Sequence, residues 1–397
     1  MSLLVFFYHL AMVLVLLGVL LNFLLNQLAV PRLQKRLCDP SRSPLVSILV
    51  PARNEEAVIE RCLQSLKVQD YYPHFEIILL DDQSSDRTAE ITRHLGFSED
   101  DPHFRIISGQ PLPSGWVGKP WACHQLAQAA RGEYLLFTDA DTSHAPFALS
   151  SVMAEALDSQ SDLLTLWPHQ ETDTWSEKLV ISILFVAAVG MLPHWLFALA
   201  HRSPNVRQHL TSRQWRMLGA ANGQYVLFTR KAYDQIGGHE AVKNHMVEDV
   251  SLGRIVASRT GEGMILRHVD GGAMVNTRMY QSLRQLWEGF TKNAWPVFDG
   301  NLPLFCIGLT AQFLIFVGPF LFLPFAEASW LMLLFQIVLI YFIRALVTLR
   351  FRSSWLGALL HPFGYLLITA IAINSYWQNR KSGLTWKGRT YHVEGGR

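Results

Sequence analysis

Tyr134-Leu-Leu-Phe-Thr138, followed at once by Asp139-Ala-Asp141, is the stretch that decides the fold. A short β-favouring apolar run bounded by polar residues reads as a buried strand. This one ends in two carboxylates separated by a single small residue. The same design occurs twice upstream: Val46–Val50 runs into Pro51-Ala-Arg-Asn-Glu-Glu56, and Ile77–Leu80 runs into Asp81-Asp-Gln-Ser-Ser-Asp86. Leu163–Leu166 and Tyr225–Thr229 read as further strands. Helical patterns alternate with them, as in Glu55–Val68, where Val58, Cys62 and Leu66 share one face. That alternation predicts an α/β domain with a largely parallel sheet over residues 44–296. Ligands of such sheets bind outside the carboxyl ends of the strands, so three acidic clusters from distant parts of the chain should meet on one rim. A fourth, Glu248-Asp249, stands at the start of a predicted helix.

The sequence has neither GxGxxG nor GxxxxGK[ST], the fingerprints of dinucleotide and P-loop sites. Carboxylates repel phosphate and can hold it only through a cation. Hard oxygen ligands of this kind suit Mg²⁺ or Mn²⁺, which bridge carboxylates to substrate phosphates. Each cluster also has a plainer reading. Asp81, Asp82 and Asp86 are turn formers and helix caps by type, Asn54 and Glu55 can cap the helix that follows them, and Glu248-Asp249 suits the positive end of a helix dipole. The histidines are scattered without metal spacing, and His124, His169 and His239 read as structural.

Half of the 397 residues are hydrophobic and 17% are charged, against roughly 25% charged in an ordinary soluble domain. A net charge of +2 lacks the basic footprint of a nucleic-acid binder. Cys38, Cys62, Cys123 and Cys306 are too dispersed for a disulfide framework or a zinc site. The apolar excess lies at the ends. Leu3–Val30 is uncharged and longer than the about 20 residues a crossing helix needs. Arg32, Lys35 and Arg36 follow, so residues 1–31 read as an uncleaved anchor with this flank on the cytoplasmic side. Within 302–378, Leu302–Phe325, Trp330–Leu349 and Trp355–Trp377 are candidate spans, and Arg344 is expected to snorkel from a helix end. Counting all of them as crossings would put the basic tail, 379–397, outside, whereas its Arg380, Lys381, Lys387 and Arg389 favour the inside. Leu179–Ala200 is also long and uncharged. A crossing there would separate the acidic motifs, and Pro193-His194 interrupts it, so it is expected to lie in the membrane interface.

The ordered series Pro51–Glu56, Asp81–Asp86, Asp139-Ala-Asp141 and Glu248-Asp249 resembles the family 2 inverting glycosyltransferases of GT-A fold, over roughly Pro44–Trp295. Other features are similar to the membrane-bound, lipid-glycosylating branch that includes carotenoid and hopanoid-associated enzymes and is akin to ceramide glucosyltransferase. They are the N-terminal anchor, Gly115-Trp-Val-Gly-Lys119, Asn222-Gly-Gln224, Glu288–Asn293 and Trp386–Tyr391. The resemblance implies a Rossmann-like nucleotide-sugar-binding domain on the cytoplasmic face of the plasma or inner membrane. It also implies a UDP-sugar donor with glucose as the leading sugar, Mg²⁺ or Mn²⁺, and a lipid acceptor such as a carotenoid or other isoprenoid. On that resemblance Pro51, Asn54 and Glu55 border the nucleotide, Asp81 and Asp82 contact uracil and ribose, and Lys119 faces uridine or diphosphate. Asp139 and Asp141 hold the metal, with Asp139 also at the donor. Asp249 is the base and Glu248 orients it or the acceptor. Asn222, Gly223, Arg284 and Trp287 mark the acceptor region.

One departure matters. Processive polysaccharide synthases carry QxxRW, and here the corresponding stretch reads Gln281-Ser-Leu-Arg284-Gln-Leu-Trp287. The break argues against polymer synthesis and leaves Arg284 and Trp287 open between an acceptor role and packing at the membrane surface. Two rival readings remain beside lipid glycosylation: a polysaccharide synthase-like enzyme, and a non-catalytic UDP-sugar-binding membrane protein.

Overall fold

The computed structural model describes residues 2–39, 43–71, 73–326 and 328–391. Packing divides the chain into an α/β unit, Ala29–Glu171 with His194–Arg278, and a helical unit, Met1–Leu28 with Thr172–Pro193 and Met279–Arg397. The edges of the α/β unit therefore differ from the 44–296 read from spacing. The chain opens with α1 (Leu3–Ala29). Then β1 (Val46–Ala52), α2 (Ile59–Lys67), β2 (Phe75–Asp81), α3 (Thr88–His94), β3 (Phe104–Ser108), α4 (Gly118–Ala129) and β4 (Tyr134–Thr138) alternate. β5 (Thr142–His144), α5 (Ala148–Ser159), β6 (Leu163–Trp167) and β7 (His169–Gln170) follow. After α6 (Trp175–Phe185) come α7 (His194–Arg202), α8 (Pro204–His209), α9 (Ser212–Leu218), β8 (Tyr225–Thr229), α10 (Arg230–Gln235), α11 (Glu248–Ser258), β9 (Leu266–Asp270) and β10 (Val275–Thr277).

The main sheet runs β3-β2-β1-β4-β8-β6-β9, with a small sheet β5-β10-β7 beside it. Both faces of the main sheet are covered. Val46, Ile48 and Val50 of β1 pack with Ile59, Cys62 and Leu66 of α2, while Leu49 joins Ala122, Cys123 and Leu126 of α4 on the other side. This is the period-two burial of a strand enclosed on both faces. The sheet is largely parallel, as expected, with one exception that shapes the site. β8 runs antiparallel to β4, pairing Tyr225 with Thr138. The reversal puts the amino end of β8, and with it Gly223 and Gln224, at the rim where β1, β2 and β4 end. Sequence alternation alone does not reveal that reversal.

The helical unit is completed by α12 (Leu283–Ala294), α13 (Leu302–Phe316), α14 (Gly318–Phe322), α15 (Trp330–Phe351), α16 (Trp355–Leu359), α17 (His361–Lys381) and the hairpin β11 (Leu384–Trp386)–β12 (Arg389–Tyr391). By length and composition Leu3–Ala29, Trp175–Arg202 and Trp330–Phe351 can each cross a membrane, and these apolar helices are consistent with membrane association. Leu302–Phe325 is not one straight span: α13 gives way at Gly318-Pro319, and α12 with its following turn meets α13 at a bend of 118°. Trp355–Trp377 likewise divides into α16 and α17. The stretch Leu179–Ala200 is broken, since α6 loosens into a π-helical turn over Val186–Met191 ahead of Pro193. Proline lacks the N–H that would serve the carbonyl four residues back, and Asn26 of α1 supplies a donor instead, 2.7 Å from Val189 O and 2.8 Å from Leu192 O. Arg344 does not snorkel. It is 1% exposed and donates to Ser182 O, Ser182 Oγ and Gly357 O at 3.0, 2.6 and 2.8 Å, so backbone carbonyls take the place of headgroups. Of the basic tail, Arg380 and Lys381 close α17, Lys387 and Arg389 fall in the hairpin, and 392–397 lie outside the described residues.

Candidate active site

The loop after β1 and the loop after β2 are tied to each other. Asn54 sits in the left-handed region, φ 53°, which asparagine tolerates better than most residues. Its backbone N–H donates to Ser84 Oγ at 3.0 Å, and its Oδ1 accepts from Ser85 N at 2.8 Å. The N–H of Glu55 donates to Thr88 Oγ1 at 2.8 Å, and that of Glu56 to Asp86 Oδ2 at 3.0 Å. Glu56 in turn accepts from Arg87 N at 3.1 Å. Asp81 Oδ1 accepts from Ser84 N at 3.2 Å, and the buried Asp82 donates its N–H to Ala52 O at 2.8 Å. Asp86 accepts from Thr88 N at 3.0 Å and Thr88 Oγ1 at 2.6 Å, the turn-forming role its residue type allowed. Burial alone would raise the Asp86 pKa, but the bonds from Thr88 and Glu56 outweigh it and hold the carboxyl below the usual range.

The other half of the rim is built from charges that face one another. Lys119, in the first turn of α4, places its Nζ 2.7 Å from Asp139 Oδ1 and 3.0 Å from Glu248 Oε1. Burial works against the ammonium, yet Asp139, Glu248 and Asp249 together hold its pKa well above the ordinary lysine value. The Lys119 ammonium is thus held by two carboxylates and not by solvent alone. Glu248 is 5% exposed, and α11 starts at it. Asp249 accepts from Gly223 N at 2.6 Å through Oδ2 and from its neighbour Val250 N at 2.8 Å through Oδ1. A Cβ on Gly223 would lie 2.8 Å from Asp249 Oδ2, so this approach needs glycine. Burial first, then the charge of Glu248, push Asp249 up to about 6, against the pull of Lys119 and the two backbone bonds.

Buried amides hold the Asn222–Gln224 loop behind these groups. Gln224 Oε1 accepts from Gln170 Nε2 at 2.7 Å, Asn222 Nδ2 donates to Leu166 O at 3.1 Å, and Thr138 Oγ1 donates to Gln224 O at 2.8 Å. The site is a cleft open to solvent. Of the residues picked out from sequence, Pro51, Lys119, Asp139, Gly223, Glu248 and Asp249 line it. Asn54, Glu55, Asp81, Asp82, Asp141 and Asn222 lie outside that lining, on the loops described above or on the turn after β4. Arg284 and Trp287 belong to the helical unit. The Arg284 side chain is 87% exposed and pairs with Glu288 at 2.9 Å, and Trp287 packs against a cluster with Leu179, Tyr280 and Leu286.

Cys123, Phe137, Thr138, His239, Val226 and Leu252 also line the cleft and were not picked out from sequence as site residues. Cys123 had a legible signal, since it follows Lys119 by one helical turn. Burial pushes its thiol well above the ordinary cysteine range despite the nearby Lys119, so it serves as a neutral wall. His239 is structural, as expected. It is buried, its Nδ1 lies 2.8 Å from Tyr233 Oη, and burial lowers its pKa to about 3.

Asp139 and Asp141 flank the small Ala140 on one turn, and Asp139 already holds a cation, the Lys119 ammonium. Among the described residues no three His, Cys, Asp or Glu side chains gather as a metal cage. The donor set is instead the sort that Mg²⁺ or Mn²⁺ uses when one or two carboxylates are supplemented by phosphate oxygens and water.

Residues 47–229 match glycosyl transferase family 2, a stretch that contains the first three acidic clusters and the Asn222–Gln224 loop but ends before Glu248. The chain is 27% identical over 364 residues to the 4,4'-diaponeurosporenoate glycosyltransferase of Staphylococcus aureus, covering 88% of each protein. In fold it is similar to the mannosyltransferase PcManGT from Pyrobaculum calidifontis, solved in complex with GDP-Man and Mn²⁺. That match has a TM-score of 0.50 and 16% identity, and covers 94% of this chain and 98% of the other.

Proposed function

We propose, from the match of residues 47–229 to glycosyl transferase family 2, that the protein is an inverting, metal-dependent hexosyltransferase. It moves one sugar, glucose in the first instance, from a UDP-sugar to a membrane lipid of the carotenoid or related isoprenoid class. The observation that carries the reading is the Lys119 bridge. One ammonium joins Asp139, on the donor side, to Glu248, beside Asp249 on the acceptor side. The Staphylococcus aureus relative, whose name specifies a carotenoid carboxylate, supports the acceptor class.

In this mechanism the loops after β1 and β2 form the nucleotide platform through Pro51, Asn54, Glu55, Asp81 and Asp82. Asp139 and Asp141 would hold a divalent cation, which when bound stabilises the negative charge of the departing diphosphate as a Lewis acid. Lys119 adds a second positive charge at the same place. Asp249 accepts the proton of the acceptor hydroxyl as its oxygen attacks the anomeric carbon, and the C–O bond to the diphosphate breaks on the opposite face. A general base contributes about 10²–10⁴-fold. Gly223 N–H fixes the oxygen of Asp249 that would otherwise rotate, and Glu248 keeps its neighbour's pKa high. One displacement inverts the anomeric centre, so an α-linked donor gives a β-linked product. The proposal puts the α/β unit on the cytoplasmic side, supported by the basic flank Arg32, Lys35 and Arg36 after the first apolar stretch.

Donor turnover by the purified protein tests this, with UDP-glucose, UDP-galactose, UDP-N-acetylglucosamine and GDP-mannose, Mg²⁺ or Mn²⁺, and carotenoid or total lipid extracts. Release of UDP together with a glycosylated lipid is the expected result. Release of long polymer would favour a synthase, and absence of nucleotide release from every pairing would overturn the transferase reading.

A further inference from the structure

Residues 194–218 of the α/β unit carry Arg202, Arg207, Arg213 and Arg216, with His194, His201 and His209, and no carboxylate. They fold as the three short helices α7, α8 and α9. Some of these cations have a local explanation. Arg202, Arg207 and Arg216 lie in last turns, where a helix dipole favours positive charge. Arg213 has none, because it stands in the first turn of α9, the end at which the dipole disfavours a cation. Arg202, Arg213 and Arg216 are all exposed, and none pairs with a carboxylate among the described residues. Glu262 lies on the turn Thr260–Glu262, which packs against α8 and α9, and a single carboxylate there leaves the segment positive.

Apolar side chains stand among these arginines. Positions 213, 216 and 217 share one face of α9, and Met217 there is 69% exposed. Trp215 points the other way, fully buried, and donates from Nε1 to Arg207 O at 3.1 Å. On α7, Leu199 is 43% exposed and precedes Arg202 by three residues. Unpaired guanidinium groups around protruding aliphatic side chains match the boundary between lipid headgroups and acyl chains. α7 itself closes Trp175–Arg202, a run apolar enough to cross a membrane.

We propose that the α7–α9 face, with Arg202, Arg213, Arg216, Leu199 and Met217, docks on an anionic lipid surface. This rests on the reading of the acceptor as a membrane lipid and gives that reading a location. α9 ends at Gly219, where a Cβ would overlap Ala257 of α11, so the two helices are pinned together. Asn222 and Gly223 follow within a few residues, and α11 begins with Glu248 and Asp249. A bilayer held at α9 is thus held at a fixed position relative to the base.

The test uses the full chain in nanodiscs of phosphatidylcholine alone or with about one third phosphatidylglycerol, with amide hydrogen exchange read over 194–218 and no substrate present. Each arginine at an anionic surface strengthens attachment about fivefold, so exchange in this segment should slow roughly tenfold or more in the anionic discs. The triple variant R202Q/R213Q/R216Q, checked for unchanged exchange in β1, should lose the effect, as should added salt. Equal exchange in the two lipids, or full protection retained by the variant, would overturn the proposal. Turnover on the same discs is read separately: lipid-dependent protection without turnover would retain the docking surface and sink the transfer reading, and turnover without protection would do the reverse.

Discussion

The two acidic halves of the rim look alike in sequence and behave differently in the fold. In the half made by the loops after β1 and β2, Asp81, Asp86 and Glu56 each accept backbone N–H groups, and Asn54 does the same with its amide oxygen. Their charge and polarity are used to shape two loops into one platform. In the half made by Lys119, Asp139, Glu248 and Asp249, charges face charges, and Asp249 is raised to about 6 while Lys119 is raised as well. Groups that perturb one another in a cleft are poised for chemistry, whereas groups neutralised by backbone donors are a scaffold. Under the proposed function, the difference gives binding to one half and reaction to the other.

The strongest way to break that division is Asp249→Asn. The amide oxygen can still accept from Gly223 N–H, so the fold and donor binding should survive while kcat falls about 10²–10⁴-fold. Steady-state turnover with a donor-binding measurement on the same sample decides it; a variant within threefold of the parent would move the base elsewhere. Lys119→Met comes next. It leaves Asp139 and Glu248 without the cation that joins them, and loss of one such charge at a departing diphosphate should cost about 10²-fold in kcat/KM. A loss confined to KM would make Lys119 a donor-binding residue and return it to the scaffold half.

Much of the sheet was legible in the chain. Tyr134–Thr138 and Tyr225–Thr229 are strands with the bounds read from their apolar runs, and three of the acidic clusters do follow strand ends. What could not be read were facts of three-dimensional pairing. The reversal of β8 leaves no mark in an apolar run of five residues, yet it brings Gly223 to Asp249. Lys119 and Glu248 are 129 residues apart in the chain, and no local pattern couples them. Arg344 was read as snorkelling because hydropathy cannot show that Ser182 O and Gly357 O would be on hand to receive it. Local periodicity reports which side of an element is buried. It does not report what the element is buried against.

A pH profile sharpens the comparison with a smaller effect. A base must be ionised to accept a proton, so with Asp249 raised to about 6, kcat/KM should fall roughly tenfold per pH unit below that value and level off above it. The same limb should be missing from the residual activity of Asp249→Asn. A profile flat down to pH 4 would leave no reactive role for the charge-facing half.

The smallest expected effect tests the scaffold half. Asp86→Ala removes the acceptor of Thr88 N, Thr88 Oγ1 and Glu56 N, and losing partly buried hydrogen bonds of this kind costs about 1 kcal/mol. The variant should unfold a few degrees lower, with kcat within twofold of the parent. Its pH dependence has a defined sign. The folded-state pKa of Asp86 lies below its unfolded value, so the native protein gains stability from the ionised carboxylate at every pH above about 4 and loses it as pH falls through the lower, folded value. The gap in melting temperature between parent and variant should therefore be constant near neutrality and close only in acid. A gap that persisted undiminished in strong acid would mean that Asp86 holds the loops by shape, and a large fall in kcat at neutral pH would mean that the platform takes part in the reaction after all.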